Sequence, residues 1–207
     1  MNILFCKHNS ICEPGIIRAL DLLGHKLILP SCSFSHPDTD DAYDAVLCEE
    51  IRKNSFDLVF SVNFIPVIAT VCHRLQVPYF CWIVDSPVIQ LYSHTLQYDS
   101  NYVFLFDKAT YLTFKNAGIS TVYYLPLAAN VSRLSQMTCP ASARSAVSAE
   151  VSFVGSLYNE DHNLFDRLNG ISDYTRGYLE SIMNAQRQVY GDFFLEDLLT
   201  QDILDEL

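Results

Sequence analysis

Positive charge is scarce in this chain, and nowhere is it concentrated. Its 207 residues carry 13 Lys and Arg against 24 Asp and Glu, a formal net charge of −11 at pH 7. A phosphate backbone needs a clustered basic face, so nucleic acid is not expected as a partner, and an anionic membrane surface is disfavoured for the same reason. No apolar run approaches the roughly 20 residues needed to span a bilayer. Met1–Cys6 lacks the basic region and cleavage site of a secretory leader, so the expected location is cytoplasmic. There is no Cys-x-x-Cys pair, Gly-x-Gly-x-x-Gly fingerprint or P-loop. Cys6, His8 and Cys12 are close enough in sequence to be weighed as metal ligands, but structural zinc needs four at recognisable spacings, so neither metal nor cofactor is expected. Seven cysteines make an odd number. Cys6, Cys48, Cys72 and Cys81 fall in predicted strands or on helix faces and read as reduced core residues.

Apolar residues, in contrast, are plentiful: half of the chain is hydrophobic, enough to bury a sizeable core. The stretch Phe56–Pro87 organises the rest. Leu58–Val62 and Tyr79–Val84 are almost wholly apolar and rich in β-branched and aromatic side chains, the pattern of strands buried on both faces. The segment between them has helical length, which predicts a β-α-β unit with parallel strands. The alternation extends both ways. Asn2–Cys6, His25–Leu29, Tyr102–Phe106 and Thr121–Leu125 read as further strands. Helices are predicted from Glu13 to Gly24, Asp38 to Lys53, Pro87 to Tyr98 and Lys108 to Ala117. This order predicts an α/β fold, a Rossmann-like parallel sheet with helices on both faces, over residues 1–130. Residues 131–150 are rich in Ser and Ala and read as a linker. Residues 151–207 then read as a strand, Val151–Ser156, followed by helices that begin a second domain without completing it.

Polar residues at strand ends are the candidate site, because open α/β sheets bind ligands at the carboxyl edge. Asp85 follows Trp82-Ile83-Val84 and precedes Ser86-Pro87. Its carboxylate could take a proton from a hydroxyl or cap the next helix. His8, at the end of the first strand, is the candidate base near neutral pH, with solvated loop His as the plainer alternative. Asn9, Asn63, Ser86, Asp107 and Asn130 are candidates for substrate binding by position, or for bonds to local backbone. Gly155 and Ser156 could admit a donor phosphate at a helix N-terminus. Tyr79, Phe80, Trp82, Tyr92 and Tyr98 could build a sugar-stacking platform, though strand packing accounts for the first three.

Taken in order, FSVNF, YFCWIVDSP, NYVFLFDK, YLPLAAN and VSFVGSLY resemble the N-terminal half of the CgeB-like (spore maturation protein type) bacterial glycosyltransferases. The likeness covers most of Phe56–Tyr158; the first 55 residues match only in strand–helix pattern. It implies a GT-B architecture, two Rossmann-like domains facing across a cleft, with the N-terminal one handling a glycan, protein or small-molecule acceptor and the other a nucleotide-sugar, without a metal. These 207 residues then read as an excised or truncated acceptor-side domain, inactive alone, with self-association through the C-terminal helices as a way to cover their apolar faces. The second expectation is a non-catalytic Rossmann-like ligand-binding or interaction module.

Overall fold

The six parallel strands run in the order β2-β1-β3-β4-β5-β6. The computed structural model describes residues 1–30, 33–155 and 165–207. Its sheet comprises β1 (Asn2–Cys6), β2 (Lys26–Ile28), β3 (Leu58–Val62), β4 (Tyr79–Ile83), β5 (Asn101–Leu105) and β6 (Val122–Tyr124). All five pairings are parallel, with β3 and β4 in the middle. The connecting helices are α1 (Glu13–Leu22), α2 (Asp41–Lys53), α3 (Pro66–Leu75) and α4 (Lys108–Asn116). Local chemistry fixes their ends. Pro14 and Pro66 stand in first turns, where no N–H is missed. Asp40 caps α2 by accepting from Tyr43 N at 2.9 Å, and Asp107 caps α4. Gly118 follows α4 at φ 85°, a backbone that costs glycine nothing.

Between β1 and β2 the chain steps one way along the sheet, and from β2 onward it steps the other way. Right-handed crossovers therefore place α1 on one face and α2, α3 and α4 on the opposite one. The opposite face carries the main core. Leu4, Val59, Tyr79, Cys81 and Val103 from the strands pack with Leu47 and Ile51 of α2, Ile68 and Val71 of α3 and Phe114 of α4. On the α1 face, Ile3, Phe5, Leu58 and Val62 are buried, while Phe60, Phe80, Trp82, Tyr102 and Phe104 are only half-buried. Burial on both faces, the expectation for Leu58–Val62 and Tyr79–Val84, thus fails for β4. No crossover after β2 passes over that side.

Other expectations change in detail. Pro87 to Tyr98 is not one helix but two 3-10 turns, Ile89–Tyr92 and His94–Gln97. Ser93 lies between them in extended conformation and accepts from Thr95 N, while the buried Asn101 carboxamide donates to Thr95 O and Leu96 O. Those carbonyls are answered from outside, so a longer helix has nothing to add. Two short exposed helices, α5 (Val131–Leu134) and α6 (Ala141–Ala146), occupy the stretch read as linker.

Residues 151–155 form no strand, and Val151, Phe153 and Val154 are 90%, 75% and 97% exposed. An apolar run becomes a strand only against a partner ladder, which it lacks here.

The chain divides into two compact units, Met1–Thr138 and Cys139–Leu207. The second contains α7 (Asp173–Gln186) and α8 (Gln201–Glu206). Leu179, Ile182 and Ile203 form its buried cluster, with Phe165, Leu168, Tyr178 and Leu199 packed around them. Ser172 caps α7 and donates its hydroxyl to Glu206 of α8 at 2.9 Å. Among the described residues no helix is long and apolar enough to cross a membrane.

Candidate functional site

A sheet ordered 2-1-3-4-5 has its topological switch point between β1 and β3, where helices leave toward opposite faces and a crevice opens. His8 and Asn63 stand on that crevice's two sides. Cys6 pairs with Ser61, and each of the two polar residues lies two positions beyond. Asp85 and Asp107 form a second matched pair, each four positions beyond Cys81 and Val103, which also pair. All four expected residues therefore share the carboxyl edge. Their side chains then take different partners.

Asn63 and Asp85 meet directly. Asn63 Nδ2 donates to Asp85 Oδ2 at 2.6 Å, and its Oδ1 accepts from Val84 N at 2.9 Å. No helix starts at Asp85, so the capping reading of this residue does not hold. Asn63 adopts the left-handed conformation at φ 57°, one that asparagine tolerates better than most residues. A buried relay holds it there. Ile65 N donates to the Tyr79 hydroxyl at 3.1 Å, that hydroxyl lies 2.6 Å from Ser61 Oγ, and Ser61 Oγ donates to Asn63 O at 2.7 Å. Burial pushes the Tyr79 hydroxyl's pKa well above the usual phenol range, so it remains a neutral donor. Tyr79 is thus a buttress on the covered face and no part of a stacking platform.

His8 turns instead to Glu13, which is 1% exposed. Glu13 Oε1 accepts from His8 N at 2.7 Å and lies 3.1 Å from His8 Nδ1. A carboxylate only accepts, so Nδ1 is the donor in this contact, and in the neutral form of the ring Nε2 carries the lone pair. An imidazole oriented through one nitrogen is the usual form of a general base. Phe34 stacks on the ring with centroids 6.0 Å apart. Asn9 follows at φ 69°, so both sides of the crevice leave their strands through a left-handed asparagine. Asn130 also reaches this corner. Its Nδ2 lies 4.0 Å from where a side chain on Gly15 would begin, at the first turn of α1, while its Oδ1 caps α5.

Asp85 and Asp107 line one small pocket of ≈ 50 Å³ with Ser86, Leu91, Tyr92 and Thr110. That volume suits a single functional group and not a sugar ring. The Ser86–Pro87 peptide bond in its wall is cis. Asp107 is committed to α4. It accepts from Thr110 Oγ1 and from the backbone N–H groups of Thr110 and Ala109, which hold its pKa below the ordinary carboxylate value. Tyr92 is 76% exposed, and Tyr98 stacks on His73 with centroids 4.2 Å apart, so the named aromatics do not share one platform.

Ser156 and the residues that would begin a helix after Gly155 lie outside the described residues, and the expected phosphate site at Gly155 and Ser156 falls there. Among the described residues no group of three or more His, Cys, Asp or Glu side chains is placed to share a metal ion. Sequence reading passed over Glu13 as a functional residue, since an acidic residue in a first turn is ordinary; its spacing five positions after His8 was the one available signal. Compared with protein-family models, with curated proteins and with solved structures, this chain matches none.

Proposed function

We propose that this chain is the acceptor-side domain of a GT-B glycosyltransferase, inactive alone, with the nucleotide-sugar held by a second Rossmann-like domain facing it. The observation that carries the reading is Glu13. A helix N-terminus at the first βα turn is where doubly wound folds place a ligand phosphate. In this chain a buried carboxylate already stands in that turn and orients His8, so a further anion is repelled and a neutral, hydroxyl-rich ligand is favoured. His8 Nε2 would take the proton of the acceptor hydroxyl as its oxygen attacks the anomeric carbon and the nucleoside diphosphate leaves. Asn63, fixed by Asp85 and Val84, and Asn9 and Asn130 would hold neighbouring hydroxyls. The sequence resemblance points the same way.

A test is to add neutral oligosaccharides to the isotope-labelled chain and follow amide and imidazole resonances. Saturable shifts at His8, Asn9, Asn63 and Val84–Ser86 are expected, reduced in His8→Ala, with no sugar transfer from a nucleotide-sugar by the chain alone. Shifts caused by a nucleoside diphosphate and not by sugars would overturn the assignment. One observation favours a non-catalytic binding or interaction module as the second reading: Asp107 is fully committed to its helix cap, and Asp85 to Asn63.

A further inference from the structure

The small pocket beside Asp85 is lined in a definite order. Its floor is apolar, made by the buried side chains of Ile83, Leu91, Leu105 and Phe114. Its rim is polar, with Asp85 and Ser86 exposed and Asp107 half-buried. The two carboxylates are not equivalent. Asp107 Oδ1 already accepts from Ala109 N, and its Oδ2 from Thr110 N and Oγ1, so both oxygens are turned to the start of α4. Asp85 gives only Oδ2 to Asn63, and among the described residues its Oδ1 accepts no hydrogen bond. The hold of Asn63 thus fixes the Asp85 carboxylate in place and leaves Oδ1 as an oriented acceptor. Asp85 also joins two places on the carboxyl edge, because Asn63 stands on the crevice beside β1 and Asp85 lines the pocket.

We propose that this pocket is a subsite for an N-acyl substituent, an acetamido group, on the sugar that binds at His8 and Asn63, an inference that rests on the acceptor reading. A group reaching in from the crevice presents its first atoms to the rim and its last to the floor. An acetamido group presents an N–H and then a methyl, which is the order of the lining. The N–H donates to Asp85 Oδ1, the carbonyl accepts from the Ser86 hydroxyl and the methyl is buried against Leu91 and Leu105. Size agrees. One water takes about 10–15 Å³ of such space, so ≈ 50 Å³ holds about four heavy atoms, as many as an acetamido group has. A hydroxyl would leave the floor unfilled. A free ammonium would also stop at the rim, where Asp85 is exposed and an ion pair adds little.

The probes are three disaccharides alike except in one substituent: cellobiose with a hydroxyl, chitobiose with an amine and N,N′-diacetylchitobiose with an acetamido group. Each is titrated into the full chain with its Ile and Leu methyl groups isotope-labelled. Diacetylchitobiose is expected to bind at least about tenfold more tightly than the other two, from one methyl buried and one hydrogen bond gained. It should also shift the methyl resonances of Ile83, Leu91 and Leu105, which the other two leave in place. Two variants test the parts. In Asp85→Asn the carboxamide oxygen accepts from Asn63 and its NH₂ then meets the ligand's N–H, so the preference for the acetylated sugar should fall to about threefold or less. Leu91→Phe fills the floor and should abolish that preference while cellobiose binding is unchanged. The inference is overturned if chitobiose binds as tightly as its acetylated form, or if the acetylated sugar shifts His8 and Asn63 but not those methyl groups; either result leaves the acceptor reading standing. If no disaccharide shifts His8 or Asn63, the acceptor reading falls and the inference falls with it.

Discussion

The two units of this chain differ in what they bury. In Met1–Thr138 a single cluster of 24 buried residues runs continuously from α2 and α3 through the strands to α4. Among the described residues of Cys139–Leu207 the corresponding cluster has three members, Leu179, Ile182 and Ile203, fringed by partly exposed Phe165, Tyr178 and Leu199. A sheet collects apolar surface from distant parts of the chain into one layer, whereas two short helices can offer each other only one stripe apiece. The difference teaches that how much apolar surface a unit can pool depends on its topology.

The most severe way to test this contrast is to cut the large core. Phe64 is 0% exposed in the turn between β3 and α3, and Phe64→Ala is expected to cost about 3–5 kcal/mol in urea unfolding followed by circular dichroism. A loss below about 1 kcal/mol would mean that this core is not a cooperative unit. Next in size is the contrast itself. Amide exchange in β3 and β4 should be slower than in α7 and α8 by at least about a hundredfold, because the second unit opens without breaking the sheet. Equal protection in a chain shown to be monomeric would remove the distinction between the units.

A smaller effect tests the relay beneath the crevice. Tyr79→Phe leaves Ile65 N without its acceptor in a fully buried place and removes a partner from Ser61, at an expected cost of about 1–3 kcal/mol. The same variant should shift the Asn63 and Val84 amide resonances, since the turn carrying Asn63 loses its support; unchanged shifts would show that the left-handed turn stands without Tyr79. Smallest is the α4 cap, where Asp107→Ala should cost about 1 kcal/mol at neutral pH. The carboxyl's pKa is lowered in the folded chain, chiefly by Thr110, so its contribution is present above the unfolded value of about 3.9 and lost as pH falls through the lower folded value. The gap between wild type and Asp107→Ala should accordingly be flat above about pH 5 and narrow below about pH 4. A gap unchanged down to pH 2 would mean that the charged carboxylate contributes nothing to the cap.

Much of the fold is legible in residue order alone. Asn2–Cys6 and Leu58–Val62 are matched end to end by β1 and β3, and the other strands differ from expectation by one residue at one or both ends, because alternating apolar runs and turn residues report backbone state locally. Val151–Ser156 shows where that logic stops: the run is strand-like, yet residues 151–155 pair with nothing. The site divides along the same line. That Asn63 and Asp85 lie on one sheet edge follows from strand ends, whereas their 2.6 Å contact depends on the β3–β4 register. Glu13 was invisible as a functional residue because its importance comes from being 1% exposed beside His8.

By itself, then, the sequence determined the alternation of strands and helices, the parallel class of the sheet and the acidic balance of charge, since these depend on spacing and composition. Only the tertiary structure decided that Tyr79 supports a turn while Trp82, three residues on, stands on the opposite face. The physical reason is that faces are assigned by the hand of the crossovers, and every crossover after β2 goes to the same side.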